Sequence, residues 1–176
     1  MSERLYIGID LGTYQSTIAS SSGTIHTVET VVGRPKDPVA RNMLKRDVLF
    51  GAEALKHKMS CELYRPMAKG VTQDDEANLA AAKAFMGHLI ETMDPEEYDE
   101  VVGVVCSPSH VSFTDKSNLV ATLRGQVNAI MVVSEPFATA YGIGEFHGTI
   151  VVDIGAGTTD IARLYGTFPS DDDQIS

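Results

Sequence analysis

Two stretches of this chain share one pattern, and that pattern limits the possible folds more than any other feature. Residues 9–19 read IDLGTYQSTIA and residues 152–162 read VDIGAGTTDIA, so the second copy follows the first at a constant offset of 143 positions. Each copy is an apolar strand that ends in Asp, a turn with glycine and hydroxyl side chains, and a second strand. We therefore predict two hairpins of one design in two structural halves, able to contact one polyanion together.

The residue types in both turns suit phosphate binding. Glycine lets the backbone turn sharply and bring N–H groups against a ligand, and Thr and Ser hydroxyls add further donors. Asp10 and Asp153 would repel phosphate unless a cation lies between them, and Mg²⁺, which accepts one or two carboxylates and keeps its waters, is the ion expected. One copy alone could equally be an ordinary turn. The repetition favours phosphate binding.

Other phosphate-binding motifs are missing from the sequence. It has no Gly-x-x-x-x-Gly-Lys-Ser/Thr run, and Gly142-Ile143-Gly144 precedes a predicted strand, whereas a dinucleotide fingerprint must follow one. The sequence therefore predicts neither a P-loop nor a dinucleotide-binding turn.

Composition bounds the class of protein. With 176 residues, of which 43% are hydrophobic, the chain can bury the core of one domain and a small second lobe. Cys61 and Cys106 are expected to be reduced thiols, because the N-terminus has no signal segment and two cysteines do not make a zinc site. No apolar run approaches the roughly 18 residues of a membrane span. We expect a soluble, cytoplasmic protein.

Charge is distributed unevenly. Residues 34–69, here called the basic segment, hold nine of the 14 Lys and Arg residues against four acids, which leaves +5 there and −15 elsewhere. Nucleic-acid binding is not expected, since the segment has few aromatic residues and the acidic remainder would repel a duplex. The segment is either a solvated face or a contact with an acidic surface of another copy.

The order of predicted elements defines a fold class. Strands at residues 6–10, 17–20 and 25–32 form a meander, and strands at 101–106 and 129–133 alternate with helices at 72–93, 113–124 and 136–142. This order is typical of an α/β, ribonuclease-H-like domain with a mixed five-stranded sheet flanked by helices. A hairpin at residues 149–165 follows.

Glu135 is a candidate for chemistry. It ends a buried strand and precedes Pro136, which fits the first turn of a helix and biases the residue before it to an extended conformation. A carboxylate at this helix start could align a water molecule for in-line attack on a terminal phosphate. It could also only complement the helix dipole.

These three motifs, in this order, resemble the phosphate-1, connect-1 and phosphate-2 motifs of the actin, sugar-kinase and heat-shock-chaperone ATPases. Within that superfamily the chain is similar to the bacterial actins, through residues 64–71 (YRPMAKGV) to the cell-shape branch and through residues 32–37 (VGRPKD) to the magnetosome-aligning branch. The resemblance covers nearly the whole chain and implies an actin-type domain.

The resemblance also implies roles for individual residues. Glu135 would position the attacking water, and Asp10 and Asp153 would hold Mg²⁺ through water. Tyr14 differs from the small residue usual at its position. The β- and γ-phosphates of ATP would lie between two sets of residues: Gly12, Thr13 and Tyr14 on one side, and Gly155, Ala156, Gly157 and Thr158 on the other.

The same resemblance implies a domain plan: subdomain IA at residues 1–32 and 70–147, a small basic subdomain IB at 33–69, and an orphan first hairpin of a second domain at 148–176. We expect the adenosine pocket to lie beyond this chain, so that 176 residues alone bind ATP weakly. The expected function is the N-terminal half of an ATP-dependent filament protein, whose partners are copies of itself or a chain that supplies the second domain. The alternative is a half-length actin relative that binds or caps filaments without hydrolysis.

Overall fold

The structure is a computed structural model that describes residues 3–68, 71–72, 75–166 and 169–176. In chain order its strands and helices are β1 (Arg4–Leu11), β2 (Gln15–Ser20), β3 (Ile25–Glu29), β4 (Val32–Pro35), α1 (Pro38–Leu44), β5 (Leu49–Phe50), α2 (Gly51–Lys56), β6 (Cys61–Tyr64), β7 (Met67–Ala68), β8 (Val71–Thr72), α3 (Glu76–Glu91), β9 (Glu100–Ser107), α4 (Phe113–Leu123), β10 (Ala129–Ser134), α5 (Glu135–Ile143), β11 (His147–Ile154), β12 (Thr159–Tyr165) and β13 (Gln174–Ile175).

The main sheet has five strands in the order β10-β9-β1-β2-β3. β1 pairs antiparallel with β2, which pairs antiparallel with β3, whereas β9 runs parallel to both β1 and β10. The predicted mixed five-stranded sheet is therefore confirmed. A parallel pair needs a crossover connection. The connection from β1 to β9 contains α3, and the connection from β9 to β10 contains α4.

The core lies between this sheet and α3. Alternate residues of β1 are buried, as expected for a strand with one face in the core. The helix contributes Phe85 and Leu89 among the residues below 2% exposure. Leu79, on the same helix, is only half-buried.

Two predicted boundaries are wrong. The helix predicted from residue 72 begins at Glu76, because Thr72 lies in β8 and Asp75 is the N-cap, accepting the Asn78 N–H at 2.9 Å. Asp74, which the predicted bounds place in the first turn, lies outside the described residues. The strand predicted at residues 25–32 is two strands, because a tight turn in which the Val31 N–H donates to the Glu29 carbonyl (2.7 Å) separates β3 from β4.

The basic segment contains a smaller sheet. β4 lies between β5 and β6, and all its pairings are antiparallel. Its own core includes Val31, Leu49, Ala54 and Cys61. This sheet is a compact lobe that begins where β3 ends.

The C-terminal hairpin is not an isolated pair of strands. β12 pairs with β11 and also with the short β13, so the expected orphan hairpin is a three-stranded sheet. Val151 and Leu164 of this sheet pack with Ala140 of α5. A third strand and a helix against one face supply the burial that a two-stranded hairpin lacks.

Within the described ranges, no helix is long and apolar enough to cross a membrane.

Candidate functional site between two hairpin turns

The sequence repeat is also a structural repeat. The pairing of Asp10 with Thr17 in the first hairpin matches the pairing of Asp153 with Asp160 in the second, again 143 positions on. Both hairpins therefore have the same register, and each places one Asp at the end of its first strand. The prediction of two hairpins of one design is confirmed.

The two turns face each other across a cavity of about 250 Å³. Glu135, the first residue of α5, lies at its wall, and the residue with extended backbone is Ser134 rather than Glu135. The structure therefore brings together every residue that the sequence predicts for the site: Asp10, Gly12, Thr13, Tyr14, Glu135, Asp153, Gly155, Ala156, Gly157 and Thr158, with Leu11 and Gln15 beside them.

The two turns differ in how tightly they are built. A Cβ atom at Gly12 would clash with the carbonyl oxygen of Gln15, so only glycine fits there. The equivalent Cβ at Gly155 would lie 3.5 Å from the Thr158 carbonyl oxygen, an ordinary contact. The second turn is closed by the Gly155 N–H, which donates to that carbonyl at 3.0 Å.

Carboxyl groups crowd this cavity. Burial raises the pKa of Glu135 to about 8, and the negative charges of Asp160, Asp10 and Asp153 add to that effect. The Asp10 side chain is exposed where it opens on the cavity, yet partial burial, followed by the charge of Asp153, raises its pKa as well. Such crowding of like charges is relieved by a bound cation.

The carboxylates fit a hydrated Mg²⁺ better than a metal held only by protein. Among the described residues no group of three or more His, Cys, Asp and Glu side chains could bind a metal ion directly. Mg²⁺ usually keeps several waters and takes one or two carboxylates plus phosphate oxygens. Asp10 and Asp153, one from each turn, match that donor set.

Asp160 is a residue to which the sequence analysis assigned no role. It is buried, its Oδ1 accepts the Ser109 N–H at 2.6 Å, and its Oδ2 has no hydrogen-bond partner among the described residues. Its charge is the largest contribution after burial to the raised pKa of Glu135. A signal was present in the repeat, where the first copy has the neutral Thr17 at the matching position.

Cys106 lies close to the same carboxylates. Burial, with the charges of Asp10, Glu135 and Asp153, raises the pKa of this thiol to about 12. A thiol with such a pKa stays protonated and unreactive at neutral pH.

Comparison with solved structures identifies the class of protein as actin-like. The chain matches the MamK double helical filament with a TM-score of 0.93 and 35% identity, covering 98% of this chain and 53% of that one. It also matches a non-polymerising MamK mutant bound to AMPPNP, with a TM-score of 0.87 and 34% identity over 99% of this chain and 54% of that one. The resemblance to the bacterial actins is confirmed.

The particular family follows from the sequence, since the MreB/Mbl protein family model matches residues 4–166 and the chain belongs to that family. Curated relatives include the actin-like protein MamK of Magnetospirillum gryphiswaldense and that of Paramagnetospirillum magneticum, each 36% identical over 98% of this chain. The matches cover 48% and 50% of those proteins, so the chain spans about half the length of the curated relatives it matches.

Proposed function

We propose that this chain is the part of a filament-forming actin-like ATPase that holds the phosphates of ATP·Mg²⁺ between its two hairpin turns. The observation that carries the proposal is the shared cavity, because its lining includes all the residues predicted for the site. The relatives support it, since one matched MamK structure is a filament and another is bound to the nucleotide analogue AMPPNP.

The two turns would bind phosphate mainly through their backbones. The backbones of residues 12–14 and 156–158 line the cavity, and the hydroxyl of Thr158 would add a donor from its wall. Gly155 would shape the second turn, because its own N–H donates to the Thr158 carbonyl. Tyr14 is compatible with this role, because a backbone contact does not depend on its side chain. Tyr14 is 58% exposed.

Asp10 and Asp153 would hold Mg²⁺ through water, which spares them direct contact with phosphate. The ion, when bound, neutralises phosphate charge and stabilises the charge that develops during phosphoryl transfer. The contribution of the chain is to keep one carboxylate at the end of each turn, on opposite sides of the cavity.

Glu135 would orient the attacking water and accept a hydrogen bond from it. Its place in the first turn of α5 fixes the side chain on a rigid element, with Pro136 buried behind it. Burial first, and then the neighbouring negative charges, raise the pKa of Glu135 to about 8, so its carboxyl would keep its proton near neutral pH in the site without a cation. The ionised form that binds water is favoured once a cation offsets Asp10 and Asp153.

The first test replaces Glu135. In the ATP-hydrolysing protein, Glu135→Ala should slow hydrolysis by at least about a hundredfold while nucleotide binding and assembly persist. Glu145→Ala is the matched control, since Glu145 is exposed just beyond α5. Phosphate release measured at saturating ATP decides the matter, and equal rates in the parent and Glu135→Ala would remove Glu135 from the mechanism.

A second test concerns the metal. Asp10→Asn and Asp153→Asn should each raise the magnesium concentration needed for nucleotide binding, because each removes one anionic partner of the hydrated ion. Magnesium titration of nucleotide binding measures this shift. A loss of stability with an unchanged magnesium response in both variants would assign the two residues to turn structure alone.

The assembly proposed is a head-to-tail filament of identical copies. It is supported by the match to MamK in a double helical filament. We place it in the cytoplasm, where free thiols such as Cys61 and Cys106 remain reduced. Filaments that form without hydrolysis would instead support the alternative of a structural or capping module.

A further inference from the structure

Thr30 connects the first turn to the small lobe, although it does not line the cavity. It lies between β3 and β4 and is fully buried. Its hydroxyl donates to the Gly12 carbonyl at 2.7 Å, and its N–H donates to the Tyr14 carbonyl at 2.9 Å. One residue therefore holds both ends of the turn at residues 12–14.

Ser16 completes this arrangement, and the direction of its hydrogen bond follows from the chemistry. The Ser16 and Thr30 hydroxyl oxygens lie 2.8 Å apart, and Ser16 is also fully buried. A carbonyl oxygen only accepts, so the Thr30 hydroxyl proton is used on Gly12. Ser16 must then donate to Thr30, which gives a chain of donors from Ser16 through Thr30 to the Gly12 carbonyl.

The two bonds of Thr30 also set the direction of two N–H groups. In a planar trans peptide the C=O of one residue and the N–H of the next point in opposite directions, and the described residues contain no cis peptide bond. Because the carbonyls of Gly12 and Tyr14 point to Thr30, the N–H groups of Thr13 and Gln15 point away from it. Thr13 and Gln15 both line the cavity.

Among the residues that the structure describes, the second hairpin has no counterpart of this support. The position 143 residues after Thr30 is Asp173, whose carboxylate accepts hydrogen bonds from Ser170 at 2.7 Å and Arg163 at 3.1 Å. The turn of the second hairpin is closed instead by the hydrogen bond from the Gly155 N–H to the Thr158 carbonyl. The two turns are thus alike in register but differ in what fixes them.

We propose that Thr30, supported by Ser16, is a positioning residue that orients the first turn for phosphate binding and links it to the small lobe. This rests on the proposed function and extends it to a residue outside the cavity. Without the hydroxyl, the partly buried Gly12 carbonyl loses its partner and the turn can rotate its peptide planes.

The test uses the full chain with Thr30→Val, which keeps the shape and removes the hydroxyl, and Thr30→Ser, which restores it. Thr27→Val is the matched control, since the Thr27 hydroxyl pairs with that of Thr17 at 2.9 Å on the exposed side of β3. Hydrogen exchange of a peptide covering residues 10–16, measured without ligand, should be about tenfold faster in Thr30→Val only. Unchanged exchange would overturn the proposal.

The second measurement is the affinity for magnesium tripolyphosphate and magnesium ATP. Thr30→Val should weaken both about tenfold, with recovery in Thr30→Ser and no change in Thr27→Val. If Thr30→Ser stays as weak as Thr30→Val, the hydroxyl is not responsible and the proposal fails. Weak binding is expected of the parent, so both probes are titrated to concentrations at which weak binding is detected. If exchange is faster in Thr30→Val but the parent binds neither probe even there, the positioning role is supported and the proposed function is refuted.

Ser16→Ala covers the case in which Thr30→Val does not fold. It removes the donor to Thr30 and leaves the Thr30-to-Gly12 bond in place, so a smaller increase in exchange at residues 10–16 is expected. Exchange in Ser16→Ala that equals that of the parent would contradict the proposed donor chain.

Discussion

At the scale of single residues, the site is governed by carboxyl groups that repel one another. Asp10, Asp153 and Glu135 line one cavity, and Asp160 borders Glu135 from the buried side. Burial and mutual repulsion raise the pKa of Asp10 and Glu135, so the chain without a cation keeps a proton on Glu135 near neutral pH.

This proton makes stability depend on pH. The pKa of Glu135 rises from the ordinary 4.5 to about 8 on folding, so between these values the folded chain binds a proton that the unfolded chain lacks. The free energy of unfolding should therefore fall as pH rises through this window. Urea unfolding at several pH values from 5 to 9 measures it.

Glu135→Gln should remove most of the dependence of the free energy of unfolding on pH. In the parent, Mg²⁺ with nucleotide should reduce the same dependence. Glu145→Gln, at an exposed position, should leave it as it is. A parent slope that survives Glu135→Gln would assign the pH dependence to another group.

Single residues also show what the sequence could and could not predict about the site. The residues of the two turns were predictable because the repeat marks them directly. The hydrogen bonds of Asp160 and Thr30 were not, because their partners, Ser109 and Gly12, lie 51 and 18 positions away and meet them only in the fold, although the repeat does mark the position of Asp160. A buried hydrogen bond across such distances leaves no local pattern.

At the scale of elements, the two hairpins have one register but different turns. The first is closed around a position where only glycine fits, whereas the second has room for a methyl group. Equivalent substitutions should therefore have unequal effects, although the sequence gives both positions the same residue.

Gly12→Ala should lower the free energy of unfolding by about 1–3 kcal/mol, because the added methyl group collides with the backbone of Gln15. Gly155→Ala, its counterpart in the repeat, should change it by about 0.5 kcal/mol or less. Urea unfolding of both variants makes the comparison, and equal losses would show that the turns are equally tight.

The order of elements was predictable, and their limits were less so. Alternation and continuous apolar runs indicated the strands of the main sheet, because its burial follows those patterns. The break at Thr30 and Val31 was missed, since both residues suit a strand and no glycine or proline marks the tight turn in which the Val31 N–H donates to the Glu29 carbonyl. β13 has two residues, which is too short for any periodicity.

At the scale of the whole molecule, charge separates the small lobe from the rest. Part of the basic charge is paired locally, as Arg41 contacts Asp47 at 2.9 Å and Arg46 contacts Glu53 at 2.7 Å, with all four side chains largely exposed. Exposed pairs contribute only about 0–1 kcal/mol each. Charge should therefore determine the polarity and salt sensitivity of assembly, whereas apolar burial should supply most of its affinity.

Assembly should weaken with rising salt and with charge reversal at Arg41, Lys45 and Arg46, because the basic segment would meet an acidic surface of the next copy. Lys83→Glu, an exposed change on α3 outside the segment, is the control. Sedimentation or light scattering detects the change. Assembly that does not change with salt or with charge reversal would indicate that the basic segment is only a solvated face.

The parallel pairing of β1 with β9 has a consequence for synthesis in the cell. Arg4 and Glu100 are paired neighbours in the sheet but lie 96 positions apart in the chain. At about 5–20 residues per second, β1 leaves the ribosome about 5–20 s before its partner strand exists. During that time β2 and β3 can protect only one side of β1, so the nascent chain presents an open strand edge to chaperones and to neighbouring nascent chains.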